Sequence, residues 1–79
     1  MDESDIYARL TEIIQDFFDD DSNAATPALS AKDVEGWDSL THIRLMLTVE
    51  KAFNVRFSTS EIGKMEKVGD LVTIIKART

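Results

Sequence analysis

The sequence predicts an all-α fold: a small four-helix bundle, three main helices plus one short helix, with a long first loop. Three observations carry this. Apolar residues recur at helical spacing in three separate stretches. The pair Ser58 and Glu61 has the Ser-x-x-Glu spacing of a capping box, which opens a further short helix. Between the first two stretches, about residues 20–37, no period is sustained, and Ser22, Asn23, Pro27, Ser30 and Gly36 collect there.

The first helix is expected from about residue 4 to 18, where Ile6, Leu10, Ile13, Ile14 and Phe17 mark one face. The acidic run Asp19-Asp20-Asp21 opposes the negative end of a helix dipole and marks the stop. The connection that follows is long for a chain of this size, and such loops tend to be functional or disordered. Leu29 and Val34 are its expected anchors to the core. A second helix runs from about Ser39 to Phe53, with Leu40, Ile43, Met46, Leu47, Val49 and Phe53 on a wide apolar arc. Thr41, Arg44, Thr48 and Lys51 form a narrow polar stripe beside it. Asn54-Val55-Arg56-Phe57 leaves in an extended form, and the capping box starts a third helix through about Met65. In the last helix Val68, Leu71, Val72 and Ile75 repeat at helical spacing, and Lys76 and Arg78 suit its C-terminal dipole.

A length of 79 residues fits one small domain covering 1–79. Without cysteine, neither disulfides nor thiolate metal sites are available, and a single histidine makes a zinc site unexpected. The net charge of −6 is unevenly spread. Residues 1–38 hold eleven acids against Arg9 and Lys32, whereas residues 39–79 hold four acids against seven bases. That distribution argues against nucleic-acid binding, which needs a basic footprint. No apolar run approaches the roughly 20 residues of a membrane span, and the acidic start has no secretory h-region. A cytoplasmic, monomeric protein without membrane insertion is the expectation.

Ser39 is the leading candidate for function. It stands in Gly36-Trp37-Asp38-Ser39-Leu40, at the opening of the strongest helical run. A hydroxyl at a helix start faces solvent, with free backbone N–H groups and the positive end of the dipole behind it. The bland alternative is that Asp38-Ser39 only caps the helix. Ser39 and His42 are helix neighbours, which invites a nucleophile–base reading. No third residue is placed in the sequence to orient His42, and no oxyanion-hole motif is visible, so a hydrolase is not expected. Asp19, Asp21 and Asn23 mimic the opening of a calcium loop, but Ala24 and Ser30 stand where that loop needs Gly and Glu. Trp37 is either a packing lid on the loop or a substrate contact.

The order of these features resembles the acyl carrier protein family. A first helix spanning Ile6–Phe17 and a long loop lead to the Gly36–Leu40 turn near the middle of the chain. A second helix ending in Phe53, a short third helix over Thr59–Met65 and Val68-Gly69-Asp70-Leu71 complete the likeness, which covers essentially the whole chain. The resemblance implies a carrier and not an enzyme, with 4′-phosphopantetheine from coenzyme A attached covalently to Ser39. A phosphate esterified there meets the favourable electrostatics of a helix start. Asp38 would belong to the surface read by the phosphopantetheinyl transferase, and Leu40 would be an apolar contact beside the arm. His42 is then either a partly exposed helix residue or a contact to the phosphate of the arm.

The further partners implied are an acyl-loading ligase or acyltransferase and acyl-processing enzymes, meeting Leu40, Thr41, Arg44, Leu47, Glu50 and Lys51. A peptidyl or aminoacyl carrier, or an unmodified helical adaptor, are the competing functions; Trp37 departs from the Gly-Gly-His/Asp-Ser-Leu pattern common in peptide carriers. The basic punctuation of Arg44 and Lys51 departs from bulk fatty-acid carriers, which present acids there, and points to a specialised fatty-acid, lipid or polyketide pathway. Lys67 stands where the family often has Ser or Thr, an expected small loss of capping. Met46, Val49, Phe53, Ile62 and Leu71 are the expected lining of a space for cargo between the helices.

Overall fold

The computed structural model describes residues 2–20 and 24–79. Among them lie four helices, α1 (Glu3–Phe18), α2 (Ser39–Phe53), α3 (Thr59–Lys64) and α4 (Val68–Arg78), with one 3₁₀ turn at Ala31–Asp33. Asp21, Ser22 and Asn23, and with them part of the acidic run and of the calcium-like spacing, lie outside the described residues. Each helix starts and stops for a local reason. Asp2 accepts from the Glu3 N–H at the start of α1, and Ser58 and Glu61 cap α3 reciprocally. The first two helices end on residues in the left-handed region, Asp19 at φ 51° and Asn54 at φ 55°. Asp and Asn are the non-glycine residues that tolerate that conformation best.

The core forms where α1 packs against both α2 and α4. Ile6, Leu10 and Ile14 of α1 meet Leu45, Met46 and Val49 of α2 and Val68, Val72 and Ile75 of α4, all essentially inaccessible to solvent. Full burial of one such side chain stabilises by about 1.5–3 kcal/mol. The apolar arc expected on α2 divides into a buried part and an exposed part. Leu40, Ile43 and Leu47 are 61%, 49% and 50% exposed, whereas Leu45, absent from that arc, is completely buried. The helix carries more apolar residues than its neighbours can cover. Periodicity measures the width of an apolar arc and not which part of it meets a partner.

The long connection is held down at several points. Val34 is buried and Leu29 half-buried, as expected; Ala25, which no period marks, is buried too. Its N–H donates to the Thr11 hydroxyl of α1 at 2.9 Å. The Leu29 carbonyl accepts from Val68 N at 2.9 Å, and the Pro27 carbonyl from Gly69 N at 3.2 Å. These are the first amides of α4, which no helical carbonyl can reach. Lys67 gives no side-chain cap, as expected, but the loop backbone replaces it, and the Asp70 carboxylate accepts from the Lys67 amide. The approach is close: a Cβ at Gly69 would sit 3.0 Å from the Pro27 carbonyl oxygen.

At the opposite end, the Arg78 guanidinium grips both carboxylate oxygens of Glu61 at 2.6 and 2.9 Å and donates to the Arg56 carbonyl at 2.7 Å. This ties α4 to α3. The Arg78 hydrogen bonds first, and the Ser58 amide second, hold Glu61 well below its ordinary 4.5, at about 2. The fold therefore favours the ionised form. Its contribution is complete above the ordinary value and is lost as pH falls toward the depressed one. In urea titrations, the wild type's advantage over Glu61→Gln should be present at about pH 6 and shrink progressively as pH drops through about 4.5. An advantage constant down to about pH 2.5 would contradict this coupling.

Candidate functional site

The turn that delivers α2 is built from glycine outward. Gly36 holds φ +88°, a conformation that strains any residue with a Cβ. The chain then reaches Trp37 and extends through Asp38, which is the N-cap of α2. Asp38 Oδ1 accepts from the Thr41 N–H at 2.9 Å. That hydrogen bond, above all, holds its carboxyl below the usual carboxylate range, so the cap carries a full negative charge at neutral pH.

Capping by Asp38 decides the fate of its neighbour. Ser39 is the first helical residue, is exposed, and its hydroxyl makes no hydrogen bond among the described residues. The aspartate satisfies the helix start and the serine is left available. The cap falls on Asp38 alone, and the hydroxyl of Ser39 has no part in it. Beside Ser39 opens a groove of about 850 Å³ that runs between the loop, the start of α2 and α3. Trp37, Ile43, Ile62 and Met65 give it apolar walls, and Lys32, Glu66 and Lys67 stand along it.

His42 also lines this groove, and neither of its ring nitrogens is available to Ser39. Nδ1 accepts from the Trp37 indole N–H at 3.1 Å, and Nε2 lies 2.9 Å from the Ile62 carbonyl. The indole only donates and the carbonyl only accepts, so the partners assign the proton to Nε2. Two residues do orient His42, contrary to the sequence expectation, but they orient it for a structural bond and not for proton abstraction from Ser39. A backbone carbonyl leaves no sequence signal, which is why this partner was illegible. Trp37 is half-buried, 5.7 Å from the Phe18 ring and stacked at 6.1 Å on His42. It packs as a lid and lines the groove at once.

The outward face of α2 presents Leu40, Ile43 and Leu47 alongside Arg44, Thr48 and Lys51, all exposed. No ion pair among the described residues engages Arg44 or Lys51. Thr41 is half-buried at the edge of this face. Glu50 is half-buried, and its carboxylate accepts from the Phe57 N–H at 2.7 Å. The space expected among Met46, Val49, Phe53, Ile62 and Leu71 is closed: Met46, Val49, Phe53 and Leu71 are buried in the packed core, and Ile62 lines the groove instead. The small pocket bordered by Met46 and Leu71 opens between the exposed Ala31, Glu66 and Lys67 and holds about 30 Å³, enough for a single water. No group of three or more metal-ligating side chains gathers among the described residues, nor is any helix long and apolar enough to cross a membrane.

No family model matches the sequence. Among solved structures, the chain is similar to the solution NMR structure of a holo acyl carrier protein from Geobacter metallireducens. The TM-score is 0.83 at 37% sequence identity, over 90% of this chain and 82% of that one.

The division of labour between cap and hydroxyl has a measurable signature. Asp38→Ala should lower the melting temperature and the helical circular dichroism, because the Thr41 amide loses its acceptor. Ser39→Ala should leave stability within about 0.5 kcal/mol of wild type, since the hydroxyl bonds none of the described residues. Equal destabilisation by the two variants would mean that Ser39 shares in the cap.

Proposed function

We propose that this chain, which belongs to the acyl carrier protein family, carries acyl groups on a 4′-phosphopantetheine arm joined to Ser39 by a phosphodiester. Membership of that family makes it a carrier and not a catalyst. The observation that carries the assignment to Ser39 is its exposed hydroxyl, spared by the Asp38 cap, at the mouth of a groove. The residues present fit the arm. The first amides of α2 and the helix dipole favour a phosphate at this position, and the groove gives an adjoining chain somewhere to lie. The arm ends in a thiol that holds cargo as a thioester.

Asp38 and Leu40 flank the serine and are our candidates for the surface that a phosphopantetheinyl transferase reads. The exposed strip of Leu40, Ile43 and Leu47, edged by Thr41, Arg44 and Lys51, is the proposed docking face for an acyl-loading ligase or acyltransferase and for acyl-processing enzymes. Glu50 stands at its margin with its carboxylate committed to Phe57. Arg44 and Lys51 are cations without ion-pair partners among the described residues, so a cognate enzyme should place acidic or neutral groups opposite them. This supports a role in a specialised fatty-acid, lipid or polyketide pathway, apart from bulk fatty-acid synthesis, and we place the protein in the cytoplasm.

Incubation with coenzyme A and a phosphopantetheinyl transferase should add the mass of one phosphopantetheine, and Ser39→Ala should gain none while keeping its helical spectrum. Modification that persists in the alanine variant would overturn the assignment.

The docking face has its own test. Arg44→Glu combined with Lys51→Glu should improve turnover of the loaded protein by a bulk fatty-acid ketosynthase. A wild-type protein that already serves that enzyme as well as its own carrier does would refute the specialised face.

A further inference from the structure

Gly36 puts a pivot in the turn before α2. A glycine at φ +88° reaches other conformations at little cost, so it does not by itself fix where Trp37 and Asp38 go. Val34 is buried, but it lies before the pivot. Beyond it the backbone bonds stay local. The Trp37 N–H donates to the Val34 carbonyl at 3.3 Å, the Asp38 N–H to the Gly36 carbonyl at 3.2 Å, and the Asp38 carbonyl accepts from the His42 N–H at 2.8 Å. Among the described residues, no backbone hydrogen bond from residues 36–38 reaches α1, α3 or α4. The Trp37 side chain makes those connections. Its ring packs on Phe18 of α1, and its N–H donates to the His42 ring, which reaches the Ile62 carbonyl of α3.

We propose that His42 is a positioning residue for the modification of Ser39: its ring, held between the Trp37 indole and the Ile62 carbonyl, keeps the turn at residues 36–38 in the form that the phosphopantetheinyl transferase binds. The inference rests on the arm at Ser39. Trp37 stands two residues before the serine and His42 three after it, so the bond between them brackets the modified position. The ring has to accept at one nitrogen and donate at the other, because the indole only donates and the carbonyl only accepts; a neutral imidazole does both. His42 takes no part in the transfer itself. A bond forms from the Ser39 Oγ to the pantetheine phosphorus, the phosphorus–oxygen bond to the departing adenosine bisphosphate of coenzyme A breaks, and the hydroxyl proton leaves to the transferase. With the bridge intact, the turn is ordered before the enzyme arrives. Without it, only the ordered fraction of the protein is competent to bind. That loss falls on binding and not on the chemical step, so it is read in KM.

The test is transferase kinetics at saturating coenzyme A on the unmodified wild type, Trp37→Phe, His42→Ala and the double variant, each checked for helical circular dichroism. Trp37→Phe keeps an aromatic ring beside Phe18 and loses the N–H. The Trp37 indole N–H resonance should shift on His42→Ala, and an unchanged resonance would overturn the bridge itself. Each single variant should raise KM for this protein by roughly two- to fivefold, the reach of one net hydrogen bond, with kcat held within about a factor of two. The double variant should be no worse than His42→Ala, because both substitutions break one tie. Effects that multiply would mean that the enzyme meets the two side chains separately, and would overturn the positioning role. Ile6→Val, a buried substitution at the far end of α1 from Phe18, is the control for stability. An equal rise in KM there would trace the effect to general loosening and overturn the proposal. The added mass separates the two levels of failure. A wild type that gains no phosphopantetheine overturns the arm at Ser39 and this inference with it, whereas wild-type KM in both single variants, on a wild type of the correct added mass, overturns the positioning alone.

Discussion

The backbone of the first loop must find hydrogen-bond partners, and the site depends on where it finds them. Helices begin with amides that no helical carbonyl can reach, and a long loop carries carbonyls with nothing regular to bond. In this chain each supplies the other. Leu29 and Pro27 give carbonyls to the first amides of α4, and Asp38 gives its carboxylate to α2. A loop pinned in this way has a defined end, and that end is the turn at Gly36 that presents Ser39. Had the loop been free, the serine would have had no fixed surroundings and no groove beside it.

The same economy explains the aromatic residues and the histidine. Trp37 packs on Phe18 of α1, stacks on His42 of α2 and sends its N–H to the His42 ring, which reaches the end of α3. Three helices and the loop are joined through two side chains. The Ile62 carbonyl lies near the C-terminus of α3, where it accepts from the Met65 N–H at 3.4 Å, and the histidine occupies its second lone pair. A Ser–His pair one helical turn apart can look catalytic in a linear sequence. With both ring nitrogens bonded elsewhere, it is architecture.

The face of α2 turned away from the core is where the bundle meets other proteins under the proposed reading. An apolar strip on a surface this small has a cost in solubility unless charge accompanies it. Arg44 and Lys51 provide that charge, while the acids of the chain concentrate in its first half. The result is a molecule with a net negative charge whose proposed docking face is locally positive. Local charge, more than the total, sets which surfaces can approach in register.

By itself, the sequence determined the four helices, their order and nearly all their ends, because periodicity, capping boxes and turn residues are local signals written in neighbouring side chains. It also placed Ser39 at a helix start, and the resemblance in motif order led to the family that the structural comparison then showed. Tertiary structure decided what local signals cannot encode. It chose Leu45 over Leu40, Ile43 and Leu47 for the core, because only the packing of α1 against α2 selects which part of a wide apolar arc is covered. It joined His42 to a backbone carbonyl twenty residues away, a partner with no side-chain signature. And it closed the interior that the sequence left open, because the volume between helices is set by how all of them approach at once.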